Sequence, residues 1–129
     1  MATVEASVID ILLADVTVEA QVGTRIYPVV IRQEAATTAI TYARQYAERE
    51  YSLAGPTGNA TVEIRFTAWA TTYPTARTIA DAIRKAIDGE IGATDLQFMM
   101  LRDGQDVYDP DMDIYGCTVD LTVMATEAA

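Results

Sequence analysis

Between residues 60 and 70 the chain keeps a strict period of two: Ala60, Val62, Ile64, Phe66, Ala68 and Ala70 alternate with Thr61, Glu63, Arg65, Thr67 and Trp69. Successive side chains of a strand point to opposite faces, so one face of this strand is apolar throughout and has to be covered. Trp69 lies on the other face. It is the best single candidate there for a partner contact or for covering by the N-terminal segment.

Two helical patterns can provide the cover. Thr3 is placed as an N-cap, Glu5 suits the positive end of a helix dipole, and Val4, Val8, Ile11 and Leu12 share one helical face, which predicts a helix from about Val4 to Ala14. A second short piece, Val16 to Val22, is expected to stop at Gly23, and Arg25 to Pro28 reads as extended chain ahead of a proline. Further on, Pro74 stands where a first helical turn tolerates it. Ala76, Ile79, Ala80, Ile83 and Ile87 form a stripe opposite Arg77, Asp81, Arg84 and Lys85, with Gly89 as the expected stop.

Three more strands complete the reading. Ile40, Tyr42 and Tyr46 alternate with Thr41, Ala43 and Gln45, predicting a strand from Ala39 to about Glu50 with one aromatic-rich face. Ser52 to Asn59 holds two glycines, a proline and an asparagine, and predicts an open, exposed loop. Leu96 to Leu101 is a short apolar run. Tyr115, Cys117, Val119, Leu121 and Val123 alternate with Gly116, Thr118, Asp120 and Thr122, and the acidic stretch Asp103 to Asp113 joins these last two strands as a hairpin. The order α-β-β-α-β-β predicts one α+β domain over residues 1–129: a four-stranded, mainly antiparallel sheet with two main helices on one face.

The composition excludes several function classes. Half of the 129 residues are apolar and 22% are charged, which is not the profile of a disordered chain, and no apolar run approaches the ~20 residues that span a bilayer. Nineteen acids against nine bases give a formal charge of -10, so the basic stripe needed for nucleic-acid binding is missing. The N-terminus has neither a basic n-region nor an apolar h-region, so no secretory signal is read and a reducing cytoplasm is expected. The charge is uneven. Met1 to Ile87 carries nine acids and eight bases, whereas Asp88 to Asp120 carries nine acids and only Arg102, predicting one acidic surface.

Catalytic and metal-binding constellations are equally sparse. There is no histidine, and the single cysteine, Cys117, forms neither an intramolecular disulfide nor a thiolate cluster. Asp109, Asp111 and Asp113 alternate as calcium ligands do, but counting from Asp109, positions 6 and 12 are Ile114 and Asp120 where an EF-hand has glycine and glutamate. A solvated hairpin is the better reading. Gly55-Pro56-Thr57-Gly58 lacks the lysine of a phosphate loop and reads as a turn. No catalytic, cofactor-binding or metal-binding residue is assigned. Seven tyrosines, one tryptophan and a single lysine instead suit contact surfaces, from which lysine is depleted.

The order of short motifs resembles a known family. Leu12-Leu13-Ala14-Asp15 leading to Val22-Gly23-Thr24-Arg25-Ile26-Tyr27-Pro28, then Ala39-Ile40-Thr41-Tyr42, then Tyr51-Ser52-Leu53-Ala54-Gly55-Pro56-Thr57-Gly58, is similar to the tail completion proteins of long-tailed bacteriophages. Ala70-Thr71-Thr72-Tyr73 with Ala76-Arg77, Ile83-Arg84 and Asp88-Gly89, and then Asp106-Val107-Tyr108-Asp109, continue the match. The resemblance departs at Thr37-Thr38-Ala39, where that pattern has a proline.

It implies a non-enzymatic virion assembly protein, made in the bacterial host cytoplasm and placed at the tail-neck junction. Such a protein forms a ring, commonly a hexamer, on the tail tube protein, ends tube growth and meets the head connector, with no cofactor and no membrane partner. Tyr51, Leu53, Gly55, Pro56, Gly58 and Trp69 are then the expected interface, and Asp103, Asp106, Asp109, Asp111 and Asp113 the expected acidic lining of the ring. The alternatives are another neck or minor tail component, or a small regulatory ligand-binding domain.

Overall fold

The computed structural model describes residues 4–22, 26–28, 38–88, 98–110 and 113–126. The expected cap at Thr3, the helix stops at Gly23 and Gly89, the strand start at Leu96, the departure at Thr37, and Asp111 lie outside the described residues. In chain order the elements are α1 (Val4–Ala14), α2 (Val16–Val22), β1 (Ile26–Pro28), β2 (Ala39–Ser52), β3 (Gly55–Ala70), α3 (Tyr73–Asp88), β4 (Phe98–Asp103), β5 (Val107–Asp109) and β6 (Ile114–Thr126).

Helix starts follow side-chain chemistry. Asp15 ends α1, its N–H donating to the Leu12 carbonyl at 3.2 Å, and caps α2, its Oδ1 accepting from the Val18 N–H at 3.0 Å. A carboxylate there satisfies an amide that has no partner within the helix and faces the positive end of the dipole. At α3 the Thr72 carbonyl accepts from the Ala76 N–H at 3.1 Å, and Pro74 occupies the first turn, where its missing N–H costs nothing.

The sheet is α+β in class but larger than the sequence predicts. Among the described residues it has six strands in the order β1-β2-β3-β6-β4, with β5 also on β6, and it is covered by three helices. It is mixed, because β1 pairs β2 in parallel, whereas the β2–β3, β3–β6, β4–β6 and β5–β6 pairs are antiparallel. Two of the strands, β1 and β5, have three residues each, too few to show a period. The stretch Asp103 to Asp113 is correspondingly not one loop, since β4 runs to Asp103 and β5 takes Val107–Asp109.

The central pair sets the core. Its register places Phe66 opposite Val119 and Ile64 opposite Leu121, so the apolar rows of β3 and β6 lie on one face. Helix α3 packs on β3 and β6, and α1 and α2 pack on α3. Ile79, Ile83 and Ile87 of α3, Val8 and Leu12 of α1, and Val18 and Val22 of α2 are all fully buried in the one core that these helices and the sheet form.

Two expectations about β2 are corrected. The strand pattern puts Tyr42 and Tyr46 on one face, but the pairing slips between Arg44 and Tyr46: Tyr42 opposes Phe66, with ring centroids 6.4 Å apart, while Tyr46 opposes Glu63 on the helix-free face. A bulge inserts one extra residue, and with a side-chain period of two that moves everything beyond it to the other face. The expected open loop Ser52 to Asn59 is instead mostly strand. Ser52 pairs with Gly55, leaving Leu53 and Ala54 as a two-residue turn. The glycines that suggested a loop serve the ladder, Gly55 at φ 118° and Gly58 at φ 89°, a region costly for residues with a Cβ.

Candidate interaction surfaces

β3 pairs with both β2 and β6 only as far as Asn59, which meets Thr126. Beyond it, among the described residues, β2 and β3 continue as a two-stranded arm. Short hydroxyl bonds shape its end. Ser52 Oγ donates to the Gly55 carbonyl at 3.1 Å and accepts from the Ala54 N–H at 3.2 Å, and Thr57 Oγ1 donates to the Glu50 carbonyl at 3.3 Å. Asn59 Nδ2 donates to Glu50 Oε2 at 3.3 Å. Leu53 at the tip is fully exposed and Tyr51 is 69% exposed. The arm therefore carries Tyr51, Leu53, Gly55 and Gly58 of the expected interface together, with Pro56 paired to Tyr51 through its backbone.

Trp69 sits apart from them, near the far end of β3. It is half-buried on the helix-free face, where its Nε1–H donates to Thr41 Oγ1 at 3.0 Å. Its ring lies over Gly116, where an added Cβ would stand 2.8 Å from Trp69 Cζ3 and Val107 Cγ2 and 2.9 Å from Thr67 Cγ2. The glycine is what allows the indole to lie against the sheet.

The same face holds a charge network that sequence reasoning missed. Arg65 Nε donates to Asp120 Oδ1 at 2.9 Å and its Nη2 to Oδ2 at 3.3 Å, while Arg102 Nη2 donates to Glu63 Oε1 at 2.9 Å. Arg102 Nε is 3.7 Å from Asp120 Oδ2, so two arginines and two carboxylates tie together β3, β4 and β6. The carboxylates are buried and the guanidiniums reach solvent. Hydrogen bonding to Asp120 holds the Arg65 guanidinium more firmly protonated than usual. The only available signal was period-two alternation of charge, and it does not say which strands become neighbours.

At the end of the sheet opposite the arm, three tyrosines from three elements meet. Tyr115 of β6 stands edge-on to Tyr73 of α3, with centroids 6.5 Å apart, and tilted against Tyr108 of β5 at 4.9 Å. All three are exposed. Carboxylates fix two of the rings: Tyr73 Oη donates to Asp106 Oδ2 at 2.7 Å and Tyr108 Oη to Asp113 Oδ1 at 2.6 Å. Bonding to an anion favours the protonated phenol, so both hydroxyls titrate above the ordinary tyrosine range. Asp113 has φ 53°, the left-handed region that aspartate tolerates better than most residues.

Arg77 lies beside this cluster with Asp103 and Asp106 each 3.9 Å away. Burial works against its charge, but the adjoining Asp106 and Asp103 carboxylates help hold it protonated. Of the expected acidic residues, Asp103, Asp106 and Asp113 are exposed around this cluster. Asp103 and Asp106 face Arg77, Asp106 and Asp113 hold tyrosines, and Asp109 pairs with Ile114 across the β5–β6 ladder.

Cys117 is fully buried beneath the cluster, and burial pushes its thiol up to about 11. We expect it to resist a thiol reagent at pH 8 in the folded protein and to react fully in denaturant. Fast native labelling would contradict the burial. The sign of the linkage follows from the same shift: above the unfolded thiol's ordinary value near 9 the unfolded chain loses its proton first, so this group's contribution to stability declines as pH rises from about 9 to about 11. Denaturant midpoints measured across that interval for wild type and Cys117→Ala should converge.

Among the described residues no group of three or more His, Cys, Asp or Glu is placed to hold a metal ion, and no helix is long and apolar enough to cross a membrane. A hollow beside the arm, lined by Glu48, Glu50, Asn59, Ala60, Thr61 and Met124, is open to solvent and encloses about 30 Å³. Ligand pockets usually enclose about 300–1,000 Å³.

The described residues thus present a projecting arm, an aromatic patch fixed by carboxylates and a polar sheet face. A family model described as Tail completion protein gp17 matches residues 6–126, and the chain belongs to that family. Its role is accordingly that of a structural protein of phage-type tails. No curated protein matches it. Among solved structures it is similar to a chain of the virion of native gene transfer agent (GTA) particle, with a TM-score of 0.75, 18% identity, and coverage of 94% of this chain and 92% of that chain. At that identity the likeness is one of fold.

Proposed function

We propose that the protein closes as a homo-oligomeric ring, a hexamer, on the end of the tail tube, stops tube polymerisation and presents its outer surface to the head connector. The observation that supports this best is the projecting arm with its exposed Tyr51 and Leu53, on a chain matched by the tail completion model over residues 6–126. A two-stranded ribbon has little stability of its own in water, and an apolar tip held out in solvent is suited to a neighbour. The structural neighbour, a component of a phage-like virion, supports placing the chain in a particle.

The protein works in this reading by contact and without catalysis. Asp103, Asp106, Asp109, Asp111 and Asp113, repeated around a ring, would line or border a channel through which DNA passes, repelling phosphates over roughly a Debye length of 8–10 Å. The test is to polymerise tail tube protein with and without this chain. We expect tubes of limited length with a ring at one end when it is present. Unchanged tube lengths with no ring at either end would overturn the terminator reading.

A further inference from the structure

The arm tip and the tyrosine patch lie at opposite ends of β3, whose 16 residues at about 3.3 Å each separate them by roughly 50 Å. Within one copy they cannot touch. We infer that the arm tip of one copy seats on the Tyr73, Tyr108 and Tyr115 patch of the next, so that each subunit gives one arm and receives one. This rests on the ring reading above and names the surfaces that make it.

Charge supports this pairing over the alternatives. The tip, Tyr51 to Asn59, contains no charged residue. The patch is bordered by Asp103, Asp106, Asp109 and Asp113 against the one arginine, Arg77. Two patches face to face would set carboxylates against carboxylates, a repulsive arrangement. An uncharged tip approaches such a rim without that cost, and its exposed Tyr51 and Leu53 meet exposed aromatic rings. The contact is heterologous, since different surfaces of two identical chains meet, and such contacts generate rings when the rotation closes.

Size explains why the contact would need a ring. A stable pairwise interface occupies about 20–30 residues a side, and a tip of nine residues is less than half of that. One arm in one patch is therefore weak, and holding two neighbours at once, in a closed ring or on a tube end, turns weak contacts into a lasting one.

The test compares two charges at one exposed position. Leu53→Asp would face the carboxylate rim and Leu53→Lys would not, and neither alters the core, because Leu53 is fully exposed. Under conditions where wild type sediments as a ring, we expect Leu53→Asp to weaken self-association at least tenfold and Leu53→Lys to keep most of it. Mixing Leu53→Asp with the double variant Tyr108→Ala, Tyr115→Ala should give no ring and only a weak heterodimer that forms at high concentration and grows no further, since only one intact arm meets one intact patch. If wild type forms rings and the Asp and Lys variants assemble equally well, the arm does not seat on the acidic patch and this contact is overturned while the ring reading stands. If wild type forms no ring even on tubes, the ring reading itself falls and takes this contact with it.

Discussion

Replacing Phe66 with alanine is expected to cost about 3–5 kcal/mol, the usual range for an aromatic side chain removed from a closed core. Phe66 is fully buried in the central strand, opposite Val119 on one neighbour and Tyr42 on the other. The loss has two parts, the apolar surface no longer taken from water and the cavity left under α3, which packs on both β3 and β6. Phe66→Leu, which fills much of the space, should cost clearly less. Denaturant titration of both variants decides this, and equal midpoints for Phe66→Ala and wild type would mean that the β3 face is not the core.

Asp120→Ala should be the most damaging single change on the helix-free face, at about 1–3 kcal/mol. It removes the acceptor of both Arg65 bonds and brings two guanidiniums onto Glu63 alone. The cost stays below that of breaking a fully buried pair because the Arg65 and Arg102 side chains are 44% and 71% exposed and turn to water instead. Adding Arg65→Met to Asp120→Ala should recover part of the loss, since the unpaired cation is gone. A double-mutant cycle measures the coupling, and strictly additive effects would show that the two residues do not act as a pair.

The two predictions also mark where the sequence was readable. The apolar rows of α1, α3, β3 and β6 follow from local periodicity, because each element buries one face and leaves the other polar. The short helix Val16–Val22 was expected, whereas its cap, Asp15, emerges only in the structure. What stayed hidden depends on contacts remote in sequence or on one-residue irregularities. Arg65 and Asp120 are 55 positions apart, and nothing in either neighbourhood says that β6 lies beside β3. The bulge after Arg44 moves Tyr46 to the other face although its spacing from Tyr42 is that of a regular strand. Gly55 and Gly58 have the composition of a loop, yet they take positive φ inside a hairpin. In the candidate surfaces, the residues of the arm were singled out together, whereas the tyrosine patch was not, because Tyr73, Tyr108 and Tyr115 meet only once α3, β5 and β6 are assembled.

The place of β6 has a kinetic consequence. It follows β4 and β5 in the chain but lies between β3 and β4, so the pairing of Phe66 with Val119 closes a span of 53 residues. Before it docks, β3 has β2 on one side and bare amides and carbonyls on the other, and the β4 segment has no strand to join. Local contacts form early and distant ones late, so the β2–β3 hairpin and α3 should gather first and β6 should insert last. The folding chain is then expected to pass through a state with an unfilled slot one strand wide in its sheet. Two copies that meet in that state can fill one another's slots, so refolding at low protein concentration should favour each chain filling its own.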